Sequence, residues 1–143
     1  MKLLSLTRRG SLLIVAAALA LTVAQVAQVA HAATPAELLA SYNAQAGSPG
    51  SAERGQEFFT APRKNDLNLN CASCHGKLPT GNGRHELTEK RIAPLAPAFN
   101  PTRFTDLGKT EGWFRTNCKD VLLRECTAKE KADVLAWLIS LKP

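Results

Sequence analysis

The sequence predicts an all-α domain, and three features carry that expectation. Helix-start signatures recur: Thr34-Pro35, Ser51 before Ala52, and the capping box Thr127-Ala128-Lys129-Glu130. The last of these opens an apolar stripe of Val134, Leu135, Trp137, Leu138 and Leu141 at helical spacing. No stretch alternates apolar and polar residues as a half-buried strand would, and no segment repeats.

The chain has 143 residues, enough for one domain. Its start reads as a leader outside the fold. Lys2, Arg8 and Arg9 form a basic beginning, Leu12 to Val23 an apolar core, and Ala30-His31-Ala32 a small-x-small cleavage site. Residues 1–32 are therefore expected to be a signal peptide, cut after Ala32. Thr7-Arg8-Arg9 resembles a twin-arginine signal but is read as an ordinary basic start. An uncleaved anchor is the alternative, yet Thr22, Gln25 and Gln28 dilute the apolar run. Losing the leader removes three cations and no acids, so the formal charge falls from +6 to +3. That balance, with no Lys/Arg stripe, excludes a nucleic-acid binder. At the remaining length, roughly two thirds of the unfolded surface can be buried.

In the mature chain, Thr34 caps a first helix running to Ala46, with Leu38, Leu39 and Tyr42 free to pack. Gly47-Ser48-Pro49-Gly50 ends it, and residues 33–50 read as an N-terminal helical extension. Ser51 caps a second helix, Ala52 to about Ala61, stopped by Pro62. Gly55 and Phe59 share one face, where the glycine admits a close neighbour. Arg63 to Asn70 reads as a polar loop. His85 to Arg91 is charged and expected to form a helical turn, while Pro94, Pro97 and Pro101 impose extended geometry. Thr105 or Thr110 is expected to start the helix carrying Trp113, Phe114 and Asn117.

The chemistry centres on Cys71-Ala72-Ser73-Cys74-His75, a C-x-x-C-H run. Two thiols at this spacing can each add to a vinyl group of one porphyrin, and the adjacent histidine then lies under the iron. The pentapeptide alone also fits a zinc knuckle or a redox-active dithiol; the export signal favours one covalent haem c on Cys71 and Cys74. His75 supplies one axial nitrogen, and Phe58 or Phe59 can reach the haem edge. The Pro97 carbonyl is the candidate partner for the other nitrogen of His75. Cys118 and Cys126 remain, and in an exported protein they are expected to pair. Their bond closes a loop of about nine residues, worth roughly 2–3 kcal/mol.

The opposite side of the iron is less determined. The only methionine is Met1, which leaves with the leader, so a His/Met haem is excluded. His85, a lysine, an asparagine, water or no ligand remain open. His85 lies only ten residues beyond His75 and would need a wrap-around loop. Asn117 stands out beside Cys118, after Trp113 and Phe114.

Trp113-Phe114-Arg115-Thr116-Asn117-Cys118, with Val121-Leu122, Arg124-Glu125-Cys126-Thr127 and Trp137-Leu138, resembles the sphaeroides haem protein family. Those are small exported class I cytochromes c that bind oxygen. The resemblance spans residues 51–143 and implies a monohaem class I cytochrome c fold there. It further implies that Asn117 ligates ferric iron and that Cys118 and Cys126 form a disulfide. An amide oxygen is a hard donor, poorly matched to ferrous iron, so reduction should release it.

The function expected is a periplasmic monohaem cytochrome c. It would transfer electrons and bind O2 or NO, with CO as a probe, at ferrous haem freed of Asn117. The alternatives are a simple electron carrier and a small haem oxygen or NO reductase. An enzyme would need a distal acid or base, for which only His85 and Arg115 offer themselves. The resemblance implies a dihaem cytochrome c as redox partner and possibly a membrane cytochrome b. Lys77, Arg84, Lys90 and Arg91 form a candidate basic rim, or a solvated set of charges.

Overall fold

A computed structural model describes residues 33–143. The expected leader, residues 1–32, lies outside them. In chain order the elements are α1 (Pro35–Ala46), α2 (Ala52–Thr60), α3 (Cys71–His75), β1 (Gly83–Arg84), β2 (Arg91–Ile92), α4 (Leu107–Leu122) and α5 (Ala128–Ser140). None of the described helices is long and apolar enough to cross a membrane.

The start of each long helix is set by a side chain that satisfies an orphan backbone N–H. Thr34 and Glu37 close a capping box on α1, Ser51 accepts from the Arg54 amide on α2, and Thr127 and Glu130 box α5. α4 is capped by neither of the threonines expected to start it. Asp106 is the cap, its carboxylate accepting from the Lys109 amide at 2.9 Å. Thr105 instead donates to the Thr102 carbonyl, and Thr110 is buried inside the helix, donating to the Asp106 carbonyl at 2.8 Å. The helical turn expected within His85–Arg91 forms, the Glu89 amide donating to the His85 carbonyl at 2.9 Å, and it sits at the tip of a short hairpin that the sequence did not predict. β1 and β2 pair antiparallel, Gly83 with Ile92 and Arg84 with Arg91, and Glu89 turns the chain at φ 59°.

The core joins four helices. Leu38 and Tyr42 of α1, Phe59 of α2, and Ala132, Val134, Leu135, Trp137 and Leu138 of α5 form one buried cluster, extended by Phe114 of α4 and by Phe104. α1 is thus a packing helix whose aromatic ring is fully buried. The Tyr42 hydroxyl donates to Glu111 of α4 at 2.7 Å, and Lys131 of α5 donates to the other Glu111 oxygen at 2.7 Å. This polar link ties three helices at one point. Burial, reinforced by Glu111, raises the Tyr42 pKa, so the phenol stays protonated and donating.

α2 crosses α5 in close contact. A Cβ at Gly55 would run into the Asp133 carbonyl and press the Trp137 Cβ. The Asp133 carboxylate, almost fully buried, accepts from the Ser51 amide at 2.7 Å and from two Arg54 nitrogens at 2.9 and 2.7 Å. Burial alone would raise its pKa; the bonds from Arg54 and the Ser51 amide overcome that and hold it below the ordinary carboxylate value.

Two stability predictions come from this crossing. Gly55→Ala should cost about 1–3 kcal/mol through overpacking. Gly112→Ala, inside α4 with open space at its Cβ, should instead gain about 0.5–1 kcal/mol. Denaturant titrations of the two holoprotein variants should differ in sign; equal effects would mean the crossing is not backbone-tight. The depressed Asp133 pKa contributes stability that is present above the unfolded carboxylate range, about 4, and lost as pH falls through the folded value. Asp133→Asn should therefore be less stable at neutral pH, with the gap to the parent narrowing in acid. A gap that stays constant with pH would remove Asp133 as a linked group.

Candidate haem site

α3 is a single helical turn, and that length suits its task. Residues three and four apart share a face, so Cys71, Cys74 and His75 present their side chains together. Asn70 caps the turn through a reciprocal box with Ser73 and also donates to the Thr60 carbonyl at 2.9 Å, fixing α3 to the end of α2. Gly76, at φ 78°, lets the chain leave sharply. Gly83 of β1 lies against the Cys74 carbonyl, where any Cβ would collide. The asparagines of the polar loop act as clamps: Asn65 bonds the Leu69 amide and carbonyl and donates across to the Val121 carbonyl of α4 at 2.9 Å.

α3 and α4 face each other across a cavity of about 620 Å³. Cys71, Cys74 and His75 line one side. Thr110, Trp113, Phe114, Asn117, Cys118 and Val121 line the other, spaced three and four apart along one stripe of α4. Phe58, Phe59, Ile92, Leu95, Phe104, Val134 and Leu138 make most of the remaining wall apolar. The sequence-predicted ligands are thus brought to one space. Asn117 sits within α4, on the helix the sequence expected to carry it. Cys118 beside it is buried and bonded to Cys126, with Cα atoms 5.6 Å apart. The disulfide therefore ties the last turns of α4 to the residue before the α5 cap.

The donor set fits a haem c. Burial pushes the His75 pKa down to about 4, helped by the nearby positive Arg103 and by His85, so its imidazole is neutral and able to ligate iron at neutral pH. Its Nδ1 is buried and has no hydrogen-bond partner. The expected contact from the Pro97 carbonyl is not formed; that carbonyl accepts from the Asn100 amide at 3.3 Å inside its own turn. Cys71 is pushed up to about 11, chiefly by burial and against the pull of Arg63. A buried neutral thiol suits a thioether and not the thiolate that zinc or disulfide exchange needs. Among the described residues no three His, Cys, Asp or Glu side chains are grouped to hold a metal ion by themselves.

The other candidates separate clearly. His85 also lines the cavity, but its Nδ1 accepts from the Leu87 and Thr88 amides, both at 3.3 Å. The neutral ring then carries its proton on Nε2, which removes the lone pair a ligand would need. Arg115 is exposed and does not line the cavity. Of the basic rim, Lys77, Arg84, Lys90 and Arg91 are all exposed; Arg84 pairs with Glu89, and Arg91 alone borders the cavity. Sequence reasoning missed Arg103, which lines the cavity beside Trp113. No local motif marks it.

A helical shell around an apolar cavity, entered by a C-x-x-C-H turn, defines a monohaem cytochrome c of class I. The family model described as "Domain of unknown function (DUF1924)" matches residues 45–138. Cytochrome c-type protein SHP of Cereibacter sphaeroides is 47% identical over 108 residues, 73% of this chain and 82% of that protein. The structure of oxidized SHP, an oxygen binding cytochrome c, superposes with TM-score 0.72 at 44% identity, covering 76% of this chain and 97% of that one. The solution structure of cytochrome c'' from Methylophilus methylotrophus, studied for haem-ligand detachment, matches with TM-score 0.66 at 34% identity, covering 76% and 94%. This chain belongs to the sphaeroides haem protein family. Its cofactor is one covalent haem c, as the resemblance implied.

Removing the disulfide by Cys118→Ser with Cys126→Ser should lower holoprotein stability by roughly 2–3 kcal/mol. Chemical denaturation of the double variant measures this, and a loss of only a few tenths would show that α4 is held by packing alone.

Proposed function

We propose that this protein is a periplasmic cytochrome c that carries electrons and binds O2 or NO on its ferrous haem. In this reading Cys71 and Cys74 form the thioethers, His75 is the permanent axial ligand, and Asn117 occupies the ferric iron and leaves on reduction. The observation that carries it is the position of Asn117 on the cavity-facing stripe of α4, across from His75. The Asn117 amide makes no hydrogen bond to another described residue, so leaving or approaching iron breaks no internal contact. Met1 is the only methionine and falls within the expected leader, which leaves no sulfur to compete for the sixth position.

The chemistry of a weak amide ligand supports the gate. An amide oxygen is a hard donor that ferric iron accepts and ferrous iron holds poorly. α4 is anchored by the Cys118–Cys126 bond, by the Asn65 bond to Val121 and by Glu111, so it cannot follow small shifts of the iron. Trp113 and Phe114 flank the vacated position with apolar surface. A small uncharged diatomic gains there what water loses. One relative is an oxygen-binding cytochrome c and another is studied for haem-ligand detachment; the reading transfers those properties here. Electrons would come from a dihaem cytochrome c, with a membrane cytochrome b as a further source.

Asn117→Ala in the purified holoprotein tests the gate. Ferric azide should bind at least roughly tenfold tighter, about 1.4 kcal/mol, and the ferric spin state should change. Ferrous CO, NO and O2 binding should move little, because the amide has already left in that state. Unchanged ferric azide affinity and spin state would assign the sixth site to another group. Ferrous haem that refuses CO would reduce the protein to a simple electron carrier.

A further inference from the structure

Arg103 is a cation placed where a cation should be costly. It lines the haem cavity, is half-buried, and its pKa is lowered by that burial. None of the ion pairs among the described residues includes it. Glu86 and Asp120 border the same cavity, and neither pairs with it. A buried charge is retained where an opposite charge arrives to meet it.

The side chain is also held in advance. Its Nε donates to the Pro94 carbonyl at 3.0 Å and its Nη2 to the Ala93 carbonyl at 2.9 Å. Asn100 donates to the same Pro94 carbonyl at 3.1 Å, bracing the loop. The guanidinium carbon stands 4.7 Å from the centre of the Trp113 ring. These contacts leave Nη1 without a protein acceptor. Phe104, the next residue, is buried at φ 60°, a region that aromatic side chains rarely enter. Strain of that kind persists where the surroundings impose it, commonly at a ligand site. Arg91, the other arginine on the cavity, is exposed and has no such bracing.

We propose that Arg103 clamps a carboxylate of the haem, one of its propionates, through the guanidinium donors left free beside the Trp113 stack. The cofactor supplies the anion that the polypeptide withholds. The clamp also joins the carboxylate edge of the porphyrin to α4, because Trp113 sits one turn before Asn117 on the cavity-facing stripe. A fixed cation near the iron favours the reduced state, which carries one positive charge fewer. The inference depends on bound haem c and not on Asn117 as a ligand.

Resonance Raman spectra and redox titrations of the holoprotein test it, with Arg103→Gln and Arg103→Lys compared with the parent. In Arg103→Gln the propionate bending band should move to lower frequency as its charged partner is lost. The midpoint potential at neutral pH should fall. Arg103→Lys keeps the charge without the planar fork, so its band should shift while its midpoint stays near the parent's. Either variant that retains haem decides the matter. An unchanged propionate band in either one overturns the clamp and leaves Arg103 as a brace for the Ala93–Pro94 loop.

Discussion

The contact of Gly55 with the Asp133 carbonyl is the constraint on which the haem pocket rests. It lets α2 lie against α5 at backbone distance, and that distance sets where Phe59 goes. The Phe59 ring then sits 5.0 Å from Trp137 and 6.1 Å from the His75 imidazole, centre to centre. Aromatic rings at such separations lock one another's orientation. A side chain at position 55 would lift α2, swing Phe59 and loosen the His75 imidazole packed beside it. The Arg54–Asp133 bonds stand one residue away and resist the same motion with charge. Packing and polar pairing thus act on one crossing.

The opposite wall is built on different terms. α4 has only Thr110 and Cys118 deeply buried, so packing alone holds it weakly. Its position comes from discrete links: Glu111 to Tyr42 and Lys131, Cys118 to Cys126, and the Val121 carbonyl to Asn65. Burial works to raise the Glu111 pKa, but the bonds from Lys131 and Tyr42 keep it ionised. Under the proposed gate, a helix held by separate links around an exposed Asn117 suits a ligand that comes and goes. The proximal side, packed against α2 and α5, is suited to one that stays.

Much of this was legible in the sequence, and the reason is locality. A C-x-x-C-H run, a capping box and a proline at a helix start act within four residues, so spacing alone reveals them. The methionine argument is equally direct: Met1 is the only methionine, and it lies in the expected leader, outside the described residues. The role proposed for Asn117 rests on resemblance, since nothing in its spacing distinguishes it from a solvated asparagine. The α4 cap was misplaced because Thr105, Asp106 and Thr110 are all good capping residues, and the carboxylate of Asp106 prevailed by reaching the Lys109 amide. The hairpin at β1 and β2 was missed because two-residue strands carry no period. The Pro97 contact could not be judged from the sequence, because where that carbonyl points depends on how the proline loop turns in three dimensions. Arg103 could not be found, as its partners at Ala93, Pro94 and Trp113 converge only in three dimensions.

Charge explains why these separate devices belong to one design. A ferric porphyrin brings a positive centre and two carboxylates into a space lined by leucine, valine and phenylalanine. Each charge must be met or the cofactor would be expelled toward water. As the proposed ligand, His75 would meet the iron without adding charge, because burial keeps its imidazole neutral. Arg103 faces the same cavity with a fixed positive charge and lowers the His75 pKa further, so one cation serves both the ligand's protonation state and the balance of the site. Across the cavity Asn117 is polar and uncharged, so in the proposed gate no ion is stranded whether it touches iron or not. A glutamate or lysine there would bind or repel too strongly to be released by one electron. On the proposed reading, an amide at position 117 suits the site for the same physical reason that an arginine at 103 does.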